Sequence, residues 1–226
     1  MLRLIFRTFA ILAAVLPLGK GATCNAAGAS VAIPNPTVDA PLAPTKGQQT
    51  AVLAGGCFWG IQAVFEHLKG VIGATSGYSG GSADTAQYDR VSSGRTGHAE
   101  AVQVAYDPSQ ISYGQLLRVF FSVAHDPTQL NQQGPDVGTQ YRSAIFYASD
   151  EQKTIAEAYV EQLNHAKVFP KQIATQIVPL NAFYPAEDYH QGYADSHPEN
   201  LYIVINDLPK VAHLQKQFPE LYVDKK

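Results

Sequence analysis

From residue 49 onward, short apolar runs alternate with segments whose apolar positions recur every three to four residues. Residues 50–54 (T-A-V-L-A) are continuously apolar and close on Gly55-Gly56, which predicts a buried strand and a tight turn. Apolar residues then fall at 57, 58, 61, 64, 65 and 68, a helical period that predicts a helix over 57–68. Residues 71–76 predict a second strand, and the alternation of 101–106 (A-V-Q-V-A-Y) a third. A helix is expected over 113–123 with Ser112 as its cap, a strand over 142–148, a helix over 150–163 capped by Ser149, and a strand over 174–180. The tail beyond residue 183 is mixed, with a short helix expected over 210–218. Two stretches lack a period. Residues 77–97 hold five glycines, and 125–140 carry Gly134-Pro135 and Gly138 as breakers. Loops of that length tend to be functional. Strands and helices alternate through irregular, long connections. This predicts an α+β, two-layer single domain with a mixed sheet and packed helices rather than a doubly wound parallel sheet.

The first 48 residues read differently. Arg3 and Arg7 precede a ten-residue apolar run at 9–18, too short for the roughly 20 residues of a spanning helix. Ala27-Gly28-Ala29 follows as an A-x-A-like site, so residues 1–29 are read as a signal peptide cleaved after Ala29. The expected location is export, periplasmic or extracellular, or a membrane anchor if the segment stays uncleaved. A mitochondrial transit peptide fits less well, the run being too apolar and too poor in Arg and Ser. A lipoprotein signal is disfavoured by Thr23, which stands before Cys24 where a small Gly or Ala is expected. Residues 30–48 contain four prolines and no long apolar run and are read as a Pro-rich linker, leaving 49–226 as the folded domain.

Composition narrows the function. The 226 residues are 46% hydrophobic and 15% charged, enough apolar material for a core, and 12 tyrosines argue against disorder. A net charge of −3 without a basic stripe makes nucleic acid an unsuitable partner. The seven histidines form no close pair, so no metal is expected. Nothing speaks to oligomeric state, and a monomer is the default expectation.

Two cysteines are present, Cys24 and Cys57, and cleavage after Ala29 leaves only Cys57. A lone thiol in an exported protein is either inert in the core or exposed and reactive. Its setting, Gly55-Gly56-Cys57-Phe58-Trp59-Gly60, places the sulfur at a strand-to-helix turn, where unpaired N–H groups favour a thiolate. The glycines let the backbone turn tightly, and Phe58 and Trp59 can wall an apolar site beside the sulfur.

G-C-F-W-G resembles the active-site signature of the A-type peptide methionine sulfoxide reductases. The resemblance continues in order along the chain through G-Y-S-G-G at 77–81, G-H-A-E-A-V at 97–102, D-V-G-T-Q-Y-R-S at 136–143 and E-D-Y-H-Q at 187–191. It covers roughly residues 49–221 and implies the family's ferredoxin-like plait. It further implies reduction of methionine-S-sulfoxide, in proteins and free, with Cys57 as nucleophile and Glu100 as a neutral acid on the sulfoxide oxygen. Tyr88 and Tyr141 would hold that oxygen, Asp136 would support the cysteine, and Phe58 and Trp59 would grip the S-methyl group. Read singly, Glu100 is a strand-end carboxylate, Asp136 a turn residue and each tyrosine a packing residue; joint occurrence lifts them. His190 is read as structural, holding the tail near the site. Many members recycle through further cysteines near the C-terminus, and residues 193–226 have none. The expectation is therefore no bound cofactor and a one-cysteine cycle closed by an external thiol, a thioredoxin-like protein or a small thiol. The other partners expected are oxidised proteins or peptides.

Three rivals share single features. A papain-like thiol hydrolase also sets Cys at a helix start near Trp, and His190 stands 133 residues after Cys57, but C-F-W departs from that family's C-G-[SA]-C-[WY]. His98-Ala99-Glu100 echoes the H-x-E of zinc deaminases without the P-C-x-x-C that completes the site. A non-catalytic binder of methionyl segments is the remaining alternative, against which the intact Cys57 and Glu100 argue.

Overall fold

The computed structural model describes residues 33–225. The signal-peptide reading of residues 1–29 and Cys24 lie outside the described residues. In chain order the elements are β1 (Gln49–Gly55), α1 (Phe58–Glu66), β2 (Val71–Ser79), α2 (Tyr88–Val91), β3 (Ala99–Tyr106) and α3 (Tyr113–Val119). There follow β4 (Gln132–Gln133), β5 (Asp136–Val137), β6 (Ser143–Tyr147), α4 (Asp150–His165), β7 (Gln176–Pro179), β8 (Phe183–Pro185), α5 (Tyr193–Ser196) and α6 (Leu208–Gln217).

Six strands form one mixed sheet in the order β7-β6-β1-β3-β2-β8. Its middle four are mutually antiparallel, and α1 links β1 to β2 across the intervening β3 while α3 leads from β3 towards β6. That is the β-α-β-β-α-β plait, extended by β7 running parallel to β6 and β8 antiparallel to β2. Side chains alternate across the sheet as the two-residue period requires. Ala51, Leu53, Val102, Val104 and Ile145 face the main core with α1, α3 and α4. Their neighbours Val52, Ala54, Ala101, Ala144 and Phe146 form a second layer on the other face, covered by Leu180 and Phe183. The small residues of that second layer let this cover approach closely. Sheet and packed helices give the α+β class expected from the pattern.

The loops are better ordered than their composition indicates. In the 77–97 region β2 runs on to Ser79, and α2 forms a single turn. His98, fully buried, holds the glycine stretch there: its Nδ1 accepts from the Gly81 N–H at 3.2 Å and its Nε2 donates to the Ser82 carbonyl at 3.0 Å. In the 125–140 region β4 and β5 pair as a two-residue ladder, and Gln133 brackets the Asp126 backbone with both ends of its amide. Arg142 closes the region by donating to the carbonyls of Gly97, His98 and Thr139. The helix expected over 113–123 is α-helical to Val119 and continues as a π-turn over Phe120–Ala124.

Residues 33–48 depart from a free linker over this described stretch. Ile33 is buried in the main core, and Tyr159 donates from its hydroxyl to the Pro34 carbonyl. Asp39 reaches the start of α3, where its carboxylate accepts from the Gly114 N–H at 2.8 Å and from the Ser112 hydroxyl. Ser112 and Gln115 already form a reciprocal capping box, so Asp39 adds a second acceptor at the same helix end. Prolines kept the segment extended, and extended chain can pack without pairing as a strand. Asp39→Ala should lower the unfolding free energy by about 1–2 kcal/mol, the size of a lost N-terminal cap. Urea unfolding of the two proteins measures it, and equal midpoints would return the segment to linker status.

Candidate active site

Cys57 sits between β1 and α1 as the residue that caps the helix, with extended backbone at φ −54°, ψ 126°. The turn before it requires Gly56 at φ +101°, and a Cβ there would strike Gln133 Cγ at 2.5 Å. The first-turn N–H groups of α1 are shared. Phe58 N–H donates to Glu100 Oε2 at 3.1 Å, and Trp59 N–H points at the Cys57 sulfur. Glu100 comes from the start of β3, buried opposite Tyr78 in the sheet register. Nucleophile and acid thus meet at one helix N-terminus although 42 residues separate Phe58 from Glu100.

A cavity of ≈ 190 Å³ opens over them, lined by Cys57, Phe58, Trp59, Tyr88, Glu100, Asp136, Tyr141 and Tyr202. Every residue expected at the site from the sequence lies on this one cavity. Its walls are aromatic and internally braced. Trp59 stacks on Tyr193 with ring centroids 3.9 Å apart and meets the edge of Tyr202 at 6.1 Å. His190 packs 5.0 Å from Phe58 and 4.5 Å from Tyr88 and accepts from Trp59 Nε1 at 3.2 Å. Glu187 accepts from the Tyr88 backbone N–H and from the Tyr78 hydroxyl, and Gln191 pairs both ways with the Ser76 backbone. The E-D-Y-H-Q segment is a latch that ties the tail to the site, as read for His190.

Burial sets the electrostatics. Removal from water pushes the Cys57 thiol well above its ordinary value, and the negative charges of Glu100 and Asp207 push it further; Trp59 N–H and the Lys210 ammonium act against this. The helix N-terminus therefore does not by itself make a thiolate, contrary to the reading from the turn alone. Burial also raises Glu100 to about 8, only partly offset by Phe58 N–H, so the carboxyl is largely protonated near neutral pH. Burial raises Tyr88 and Tyr141, which remain hydroxyl donors. Asp136 is raised by burial, with the Tyr202 hydrogen bond and Lys210 pulling it down.

Tyr202, Asp207 and Lys210 were not singled out in the sequence. The Tyr202 hydroxyl donates to Asp136 Oδ2, joining the tail to the β5 strand in the wall of the cavity. Lys210 Nζ pairs with buried Asp207 Oδ1 at 3.0 Å. A Cβ on Gly60 would fall 2.1 Å from that carboxylate, so the second glycine of G-C-F-W-G makes room for the pair. Tyr202→Phe should lower kcat/KM by about 10–100-fold, the worth of one charge-assisted hydrogen bond at ~1.5–3 kcal/mol. Steady-state assays on a model sulfoxide decide this, and unchanged kinetics would leave Tyr202 as a wall only.

A hydrolase of the papain type needs a histidine on the sulfur. His190 Nδ1 is taken by Trp59 and its buried Nε2 meets no partner, the sulfur included, and both nitrogens of His125 are taken, by the Phe120 carbonyl and the Ser143 hydroxyl. A thiol that shares an aromatic cavity with a carboxyl held largely neutral by burial suits a thiol-dependent oxidoreductase.

Comparison with known proteins fixes the class further. Residues 49–222 match the family model described as peptide methionine sulfoxide reductase. The chain is 59% identical over 179 residues to peptide methionine sulfoxide reductase MsrA 2 of Mesorhizobium japonicum, covering 79% of this chain and 92% of that protein. It is 51% identical over 193 residues to the MsrA 2 of Synechocystis, covering 84% and 90%. Among solved structures it resembles methionine sulfoxide reductase A of Corynebacterium diphtheriae at a TM-score of 0.59 and 35% identity, over 75% of this chain and 88% of that one. The reduced form of Mxr1 from Saccharomyces cerevisiae matches at 0.61 and 35%, over 73% and 92%. The chain belongs to the peptide methionine sulfoxide reductase family, A type, and is an enzyme that reduces methionine sulfoxide.

Proposed function

We propose that the enzyme reduces the S epimer of methionine sulfoxide, in proteins and free, through a one-cysteine cycle centred on Cys57. The observation that carries this is the shared cavity of Cys57 and a buried, largely neutral Glu100. Protonated Glu100 hydrogen-bonds the sulfoxide oxygen and makes the sulfur electrophilic. With Glu100 neutral, one of the charges that oppose the thiolate is gone. Cys57 attacks the substrate sulfur, Glu100 passes its proton to the oxygen, and the thiol proton restores the carboxyl. Oxygen moves to Cys57, leaving methionine and a sulfenic acid. Tyr88 and Tyr141 hold the oxygen by their hydroxyls, Asp136 supports the far side of the sulfur, and Phe58 and Trp59 enclose the methyl group.

The sulfenic acid is then reduced by an external thiol, a thioredoxin-like protein or a small thiol. Support for this comes from the sequence: Cys57 is the only cysteine of residues 30–226. Export through the N-terminal segment accords with the same reading. The test is an anaerobic single turnover of the full chain with racemic methyl p-tolyl sulfoxide and no reductant. One epimer consumed, one thiol lost per enzyme and a dimedone adduct on Cys57 are expected. A Cys24–Cys57 disulfide would end the one-cysteine cycle, and no turnover at all would end the assignment of Cys57.

A further inference from the structure

Cys57 borders two cavities. Besides the aromatic one, here called the front, a second of ≈ 20 Å³, the back, is bordered by Cys57, His125, Gln133, Asn206 and Lys210 among others. Asp136 and Tyr202 border both cavities, so their hydrogen bond is the partition between front and back. The back cavity has room for one water-sized group and none for a thiol.

Its polar lining is unevenly spent. His125 uses both ring nitrogens on Phe120 and Ser143, and Gln133 uses both ends of its amide on Asp126. Asn206 donates from Nδ2 to the Tyr202 carbonyl at 3.0 Å, which fixes the amide and leaves its buried Oδ1 without a partner. Lys210 gives one N–H to Asp207 and keeps others to offer. The back cavity therefore presents one acceptor and one cationic donor at the sulfur, the complement of an S–O–H group.

We infer that Asn206 and Lys210 form a hydroxyl-binding site behind Cys57, which receives the sulfenic oxygen and releases it as water when an external thiol attacks. This rests on the one-cysteine cycle above. Displacement at divalent sulfur runs with attacking and leaving groups in line. The front cavity, ≈ 190 Å³ against ≈ 20 Å³, is the one with room for a thiol, so the leaving oxygen points to the back. Rotation of the Cys57 side chain carries it there once methionine has left. The external thiolate then bonds to the Cys57 sulfur as the S–O bond breaks. The electron pair goes to oxygen, and Lys210 supplies the proton that makes it water and is reprotonated from solvent. A second thiol of the reductant frees Cys57 by disulfide exchange.

The test separates the two half-reactions. Full-length protein is oxidised at Cys57 by one turnover of methyl p-tolyl sulfoxide, freed of product and mixed with 2-mercaptoethanol, and the mixed disulfide is followed by quenched intact mass. Sulfide formation is timed separately. In Lys210→Met and Asn206→Leu, the thiol step should fall at least tenfold more than the sulfoxide step, within the range of general acid catalysis. The double variant Lys210→Met, Asp207→Asn removes the ion pair without stranding a buried carboxylate and should do the same. Equal slowing of both steps, or an unchanged thiol step, overturns the inference and leaves the one-cysteine cycle standing. Sulfide formed without a dimedone-reactive Cys57 overturns the cycle and the inference together.

Discussion

Cys57→Ser should reduce sulfoxide turnover on the order of 10⁴-fold or more, the loss that follows removal of a catalytic nucleophile. A serine hydroxyl fits the same space, so the cavity and its aromatic walls persist. What disappears is the soft sulfur that can attack another sulfur and then carry oxygen as a sulfenic acid. Substrate affinity should change by less than a few-fold, because Phe58, Trp59, Tyr88 and Tyr141 are untouched. Single-turnover methionine formation reads the first effect and equilibrium binding of a sulfoxide the second. Turnover within about tenfold of the parent would mean that another group carries the oxygen.

Glu100→Gln should cost about 10²–10³-fold in turnover near neutral pH, the contribution of a positioned general acid. The amide keeps a hydrogen bond to oxygen but has no proton to give. The parent should lose activity as pH rises through about 8, where Glu100 ionises, and the variant should show no such limb. Stability should move the other way. The folded protein holds the Glu100 proton up to about 8, against 4.5 for an ordinary glutamate. Its favourable contribution is full below 4.5 and is lost as pH rises through 8, where a buried carboxylate must be carried. Glutamine removes that burden, so the variant should be the more stable protein above pH 8, by on the order of a few kcal/mol, with the gap closing toward pH 4.5. Urea unfolding across that range decides it, and a gap independent of pH would sink the raised carboxyl. A variant that is slower yet more stable is the expected trade at a site that keeps an acid in an apolar place.

Local chemistry was legible residue by residue. The continuous apolar run of β1, the alternation of β3, the caps Ser112 and Ser149, and the Gly-Gly turn before Cys57 are dictated by neighbours within a few positions. Cys57, Glu100, Asp136 and Tyr141 stood in segments whose order along the chain was itself a signal, Tyr88 stood between two of them, and all line one cavity. Tyr202, Asn206, Asp207 and Lys210 were hidden in a tail that reads as mixed, with a short helix over 210–218. Their spacing of four, one and three residues places them near one another on a helix, a signal the tail did offer. Nothing local says that this face turns toward a cysteine some 145 positions away. The same holds for residues 33–48, whose prolines report an extended chain but not that Ile33 and Asp39 dock on the domain.

The sequence by itself determined the main strands and helices, the sulfur at a helix start and the set of side chains able to handle a sulfoxide oxygen. The tertiary structure decided their protonation. A helix N-terminus predicts a thiolate at Cys57, yet closure of the aromatic walls and the tail over it removes water, and desolvation outweighs the local dipole. The same closure makes Glu100 an acid rather than a carboxylate. Desolvation depends on everything that packs around a group, from any distance along the chain, and so no local stretch of sequence can encode it.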